Sequence, residues 1–302
     1  MSVGCNCNVG LSNTGKPNCV PVQSVTSKLI LVPLVSNAGI TNKIDLTAPF
    51  VAPIWSSLIN QADSSLRWYP LPNFENVELA KADTVFEEAN SGKMAFLRQG
   101  KRSFAGELWA SDSTPTFLGK LASGRCVEFG VYIVDVNGSL IGSKVGNYLY
   151  PITVDNQSWD PKFMFATDTT VQKIMLGFDF DRFFDESTMY MITSDEAGQD
   201  FNDLNGLIDV NLDVTAQVTT ASITFDATFD YGTAVNPLRF KGGILADFAL
   251  FNLSTNTALI PTAVSEINDG EYTLLASYVS GDDYRLRVVK TGFIGETTFL
   301  AV

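Results

Sequence analysis

Val127-Glu128-Phe129-Gly130-Val131-Tyr132-Ile133-Val134-Asp135 runs through Val136-Asn137-Gly138 into Ser139-Leu140-Ile141-Gly142. Two runs rich in β-branched and aromatic residues flank Asn-Gly, the dipeptide that accepts the positive φ of a two-residue hairpin turn. The stretch therefore reads as a β-hairpin. Just before it, Lys101-Arg102-Ser103-Phe104-Ala105-Gly106-Glu107-Leu108-Trp109 alternates side chains as a half-exposed strand does. Between the two, Asp112-Ser113-Thr114-Pro115 offers an N-cap with proline near the first helical position, and this predicts a short helix through about Ser123, stopped by Gly124.

The same strand-and-turn grammar extends outward. Thr84-Val85-Phe86-Glu87-Glu88 and Lys93-Met94-Ala95-Phe96-Leu97-Arg98 flank the turn Asn90-Ser91-Gly92, and Lys28–Val35 and Ile40–Leu46 flank Ser36-Asn37-Ala38-Gly39. Both pairs are hairpin candidates. From Thr47 to about Asp83 the pattern loosens, because Pro49, Pro53, Pro70 and Pro72 interrupt it, although a short helix fits Ile54 to Ala62. A connection of that length is uncommon unless it has a role of its own. Its aromatics, Trp55, Trp68, Tyr69 and Phe74, either cover the core or meet another subunit, where Trp and Tyr are enriched.

Downstream, residues 216 to 302 read as strands about ten residues apart, separated by Asp230-Tyr231-Gly232, Ser254-Thr255-Asn256, Asn268-Asp269-Gly270 and Ser280-Gly281-Asp282-Asp283. That spacing suggests a β-sandwich. The expected organisation is mainly β: an irregular N-terminal arm at 1–26, rich in Gly, Asn, Ser and Pro; a β domain with one short helix at 27–215, containing the long segment 47–83; and a sandwich at 216–302. A length of 302 residues suits two domains.

Composition narrows the chemistry. Histidine is absent, which removes the side chain most used for proton transfer near neutral pH and for transition metals. A formal charge of −13 argues against a nucleic-acid binder presenting a basic face to phosphate. Residues 150 to 215 hold 13 acidic and 3 basic residues, whereas residues 1 to 149 hold 11 and 12, so one stretch carries most of the imbalance. No apolar run approaches the ~20 residues of a membrane-spanning helix. The N-terminus has no basic start or apolar stretch of a secretory signal, so the chain is expected to be made and kept in the cytoplasm until it assembles.

Candidate reactive groups are sparse. Cys5, Cys7, Cys19 and Cys126 lack the paired spacing of a zinc site and have no histidine to complete one. Asp200-Phe201-Asn202-Asp203-Leu204-Asn205-Gly206 begins like a calcium loop, but Leu204 holds its fifth position and no glutamate stands at the twelfth. The pairs Asp179/Asp181 and Asp185/Glu186 are what glycoside hydrolysis would need, yet a chain with 33 acidic residues produces such pairs by chance. No phosphate loop, serine elbow or dinucleotide fingerprint follows a strand. Neither catalysis, metal nor cofactor is expected.

One order of elements is more specific. The strand pair around Phe86-Glu87-Glu88-Ala89-Asn90-Ser91-Gly92-Lys93 and Arg98-Gln99-Gly100-Lys101-Arg102-Ser103-Phe104, then a helix, then the Asn137-Gly138 hairpin, resembles the tail tube (major tail) proteins of tailed bacteriophages. Ala246-Asp247-Phe248-Ala249-Leu250-Phe251-Asn252 and Asp269-Gly270-Glu271-Tyr272-Thr273-Leu274 resemble the immunoglobulin-like modules often appended to virion proteins. The resemblance spans about 28 to 302. It implies a tail-tube-like β-sandwich or half-barrel followed by an immunoglobulin-like sandwich. It also implies self-assembly into rings, commonly hexameric, that stack as the tube through which phage DNA passes without sticking, with other tail and neck proteins as partners and the virion as location.

Neighbouring subunits would then cover the sheet edges, and the arm with Trp55, Trp68, Tyr69 and Phe74 would contact the adjacent subunit or ring. Asp179, Asp181, Asp185 and Glu186 either face the bore, where carboxylates repel phosphate within a Debye length of about 10 Å at 0.1 M salt, or form ordinary acidic surface. A ring, neck, connector or head-decoration role stays open, since the Cys-containing arm and segment 47–83 depart from the simplest family members. A carbohydrate-binding surface protein is the reading from another class, with Tyr231, Phe248, Tyr272 and Tyr278 of the C-terminal sandwich as its aromatics.

Overall fold

The structure, a computed structural model, describes residues 14–15, 20–48, 50, 53–233 and 235–302. Cys5, Cys7, Cys19 and most of the arm lie outside them. The first body begins with β1 (Thr26–Pro33), β2 (Ile44–Asp45), α1 (Pro53–Ile59), β3 (Tyr69–Pro70), β4 (Glu75–Lys81), β5 (Val85–Glu88), β6 (Met94–Arg98) and β7 (Arg102–Trp109). It continues with α2 (Pro115–Ala122), β8 (Phe129–Asp135), β9 (Leu140–Val145), β10 (Tyr148–Tyr150), β11 (Ile152–Met164), β12 (Lys173–Phe180), β13 (Met189–Ile192) and α3 (Ser194–Ala197).

β8 and β9 form the expected hairpin, and Gly138 takes the turn at φ 74°. Every residue of β8 is buried, because the strand lies between two cores. Its odd positions Phe129, Val131 and Ile133 pack with Trp159, Phe104 and Phe178, while its even positions Tyr132 and Val134 pack with Trp55, Trp68 and Phe201. This is why the sequence there is a continuous apolar run. β1 covers one edge of β8, and β9 and β11 share the other.

β11 leaves β8 after two paired residues and continues along β12. Its register shifts between Asp155 and Asp160, and the sheet runs on through β7 to β4. A bulge of this kind bends and twists a sheet, and here it curls the strands into a half-barrel around the first core. Ser158 holds it: its hydroxyl donates to Asp155 O (2.5 Å) and accepts from Asp179 N (2.7 Å). The helix forms where expected, as α2, with the Thr114 hydroxyl accepting from Phe117 N and Pro115 opening the first turn.

Segment 47–83 closes the opposite face. Trp55 of α1 donates from Nε1 to Ala197 O (3.0 Å), and the Trp68 ring lies 5.1 Å from that of Tyr132. The hairpin expected at 28–46 survives as a turn with a single bridge, Val35 to Thr41, since β2 pairs with β10 instead of β1.

The second body comprises β14 (Ile208–Thr219), β15 (Ser222–Gly232), β16 (Pro237–Arg239), β17 (Phe248–Asn252), β18 (Thr257–Leu259), β19 (Ala263–Asn268), β20 (Glu271–Leu275), β21 (Asp283–Val288) and β22 (Phe293–Leu300). β14, β15, β20 and β19 make one layer and β18, β17, β21 and β22 the other, joined where β14 runs parallel to β22. Relabelled A-B-E-D against C′-C-F-G, this is immunoglobulin-like connectivity. The tyrosine corner of that fold is present too: Val279 N donates to the Tyr284 hydroxyl (2.9 Å) at the start of β21. Because all of β14 belongs to this body, the boundary expected at 215/216 moves back to just before Ile208. No helix among the described residues is long and apolar enough to cross a membrane.

Candidate self-assembly surface

β4 and β7 pair as far as Lys81 and Arg102, and Ala82 N donates to Lys101 O (2.8 Å). Beyond that point the hairpin continues as β5 and β6, a two-stranded ribbon that joins no other sheet among the described residues. Gly100 permits the close passage at the root, where a Cβ would sit 1.6 Å from Ala82 O. At the tip, Ala89 N donates to Lys93 O and Gly92 adopts φ 77°. Phe86, Met94, Phe96 and Leu97 remain 50%, 57%, 53% and 54% exposed. The two phenylalanine rings meet edge to face at 6.1 Å. A lone two-stranded hairpin is marginal in water, and large side chains gathered on one mark an interaction site.

The ribbon is braced at its root by carboxylates that the sequence offered for another purpose. Glu186 bridges Arg102 (2.7 Å) and Lys81 (2.9 Å), and Asp179 takes Lys101 (2.9 Å). Arg102 first and Lys81 second hold the Glu186 carboxyl below its ordinary pKa. Asp181 and Asp185 accept the N–H groups of Phe183 and Ser187, and neither has an ion-pair partner among the described residues. The four acidic residues lie at the end of β12 and in the loop after it. As a DNA-repelling wall, however, the group is half neutralised, because Asp179 and Glu186 are spent on lysine and arginine.

The expected interface aromatics need a correction. Trp55, Trp68 and Phe74 are 1%, 4% and 5% exposed within their own chain, so they cover the core and cannot present a face to a neighbour. Tyr69 alone keeps part of its surface: its hydroxyl donates to Ser64 O (2.9 Å), the Arg67 guanidinium lies 5.9 Å from its ring, and burial pushes its phenol upward. The proposed glycan platform fails for the same reason, since Phe248, Tyr272 and Tyr278 lie in the sandwich core and only Tyr231 reaches the surface.

Tyr69 and Tyr231 line a cleft of about 1220 Å³ between the two bodies. Lys120 of α2 closes one side of it with ion pairs to Asp209 (2.7 Å) and Asp230 (3.1 Å). Burial weakens the Lys120 ammonium, but the two carboxylates outweigh that and raise its pKa. The Asp200–Gly206 stretch serves the first body: Asp200 caps a short 3-10 turn and sits against Gly138, and Phe201 N donates to Gly138 O. Cys126 is exposed and unbridged. No cluster of three or more His, Cys, Asp or Glu fit for a metal occurs among the described residues.

No protein-family model matches the chain, and no curated protein sequence does. Among solved structures it is similar to the N-terminal part of the bacterial S-layer protein SbsC, at 16% identity and a TM-score of 0.22, over 31% of this chain and 24% of that one. A similarity of that size carries no argument about fold or function.

Proposed function

We propose that this chain is a non-catalytic structural protein that assembles with itself, and that the assembly is a ring, of the hexameric kind, stacked as a phage tail tube through which DNA passes. The observation that carries self-assembly is the β5–β6 ribbon, a projecting pair of strands whose four exposed apolar side chains find no cover among the described residues. Sheet edges support it: among the described residues β2 and β4 end the path of the first sheet, and such edges invite pairing unless something covers them. Assignment to a virion, to assembly in the bacterial cytoplasm and to partners among tail and neck proteins rests on the element order from 84 to 142. A ring, neck or decoration protein would use the same surface, and copy number per particle separates these roles.

Mass photometry and sedimentation velocity over a wide concentration range test the proposal. A step from the 32.8 kDa monomer to one closed multiple is expected. A monomer at every concentration would overturn it.

A further inference from the structure

The tip of the ribbon has a complementary surface on the same molecule. A groove of about 430 Å³ runs between the 34–42 turn, the β10–β11 corner and the loop after β12, with Val35, Tyr150, Phe183 and Phe184 forming its apolar wall. Phe183 is 59% exposed and Val35 49%. Because Phe86 and Phe96 are half exposed, their own chain's groove does not hold them. The charges match as well. Asp181 and Asp185 line the groove without ion-pair partners, and Lys93 at the ribbon turn and Arg98 at the end of β6 also have none among the described residues. Arg182, whose guanidinium lies 4.5 Å from the Phe183 ring, gives Glu88, which shares the ribbon face of Phe86 and Phe96, a cation to meet.

We infer that the β5–β6 ribbon of one copy seats Phe86 and Phe96 in the Val35–Phe183 groove of a second copy, with Lys93 and Arg98 against Asp181 and Asp185. Ribbon and groove are different patches, so the contact repeats from copy to copy and gives a ring if the rotation closes or a filament if it does not. The inference rests on the self-assembly reading and adds where the contact lies.

Its test uses full-length chains with exposed substitutions. Phe86→Ser with Phe96→Ser disables the ribbon, and Phe183→Asp, with Val35→Asp as a second variant, disables the groove; an unchanged unfolding midpoint confirms that each still folds. Each variant alone is expected to raise the concentration needed for assembly by roughly tenfold or more. Mixing a ribbon variant with a groove variant should restore one intact contact and give a one-to-one complex seen by mass photometry. If the wild type assembles and the variants assemble equally well, the docking is wrong while self-assembly stands. If both variants lose assembly but their mixture stays monomeric, ribbon and groove are not partners. A wild type that never assembles overturns both readings.

Discussion

Gly138 holds φ 74°, a region that costs other residues about 1–3 kcal/mol, and a Cβ there would lie 2.1 Å from Asp200 Oδ1. Gly138→Ala is therefore expected to lower the urea midpoint with an unchanged m-value, by roughly that free energy; an unaltered midpoint would show that the turn relaxes freely. The sequence announces the turn through Asn137-Gly138, but not its buttress, because Asp200 lies in a loop whose proximity only the fold creates. Glu186 is the other informative residue. Its folded pKa is depressed from a starting value of 4.5, so its contribution is complete above that pH and drains as pH falls through the lower folded value. With a side chain 32% exposed, the pairs with Arg102 and Lys81 contribute at most about 1 kcal/mol after solvent screening. Glu186→Gln should flatten the acid limb of stability against pH, and added salt should shrink the difference between the two proteins; equal acid limbs would mean that the pairs do not brace the ribbon.

Segment 47–83 and the β5–β6 ribbon make opposite use of their aromatics. Trp55→Ala and Trp68→Ala each remove a buried ring and should cost about 3–5 kcal/mol. Phe96→Ser, on an exposed ribbon, should fall within about 0.5 kcal/mol of wild type, and chemical denaturation of the three variants checks both expectations. Local chemistry made α2 and the β8–β9 hairpin legible: Thr114-Pro115 opens one and Asn137-Gly138 turns the other. Whether Trp55 and Trp68 cover the core or meet a neighbour was not decided by the sequence, since proline-broken sequence has no period and the face they protect, Tyr132 and Val134, comes from a distant strand. Nor was the loneliness of the ribbon. Phe86, Met94, Phe96 and Leu97 read as ordinary strand residues, and only the tertiary structure leaves them uncovered.

At the scale of the whole chain, two bodies of unlike architecture meet through few polar contacts. Lys120 bridges Asp209 and Asp230, Thr116 Oγ1 donates to Asp230 O, and Gly292 N donates to Asn60 Oδ1. Lys120→Met should loosen this junction, so that calorimetry resolves two unfolding transitions further apart than in the wild type; superimposable traces would assign the coupling elsewhere. The β-sandwich was legible in its evenly spaced turns, whereas the start of its first strand was not, because β14 begins inside the acidic stretch that charge counting grouped with the first body. Under the proposal, the ribbon of one copy and the groove of the next join this pair of bodies into an assembly. Negative-stain electron microscopy of the purified protein tests that directly. Closed rings or stacked tubes with a central channel are the predicted images, and a uniform field of single 32.8 kDa particles at high concentration would contradict the account.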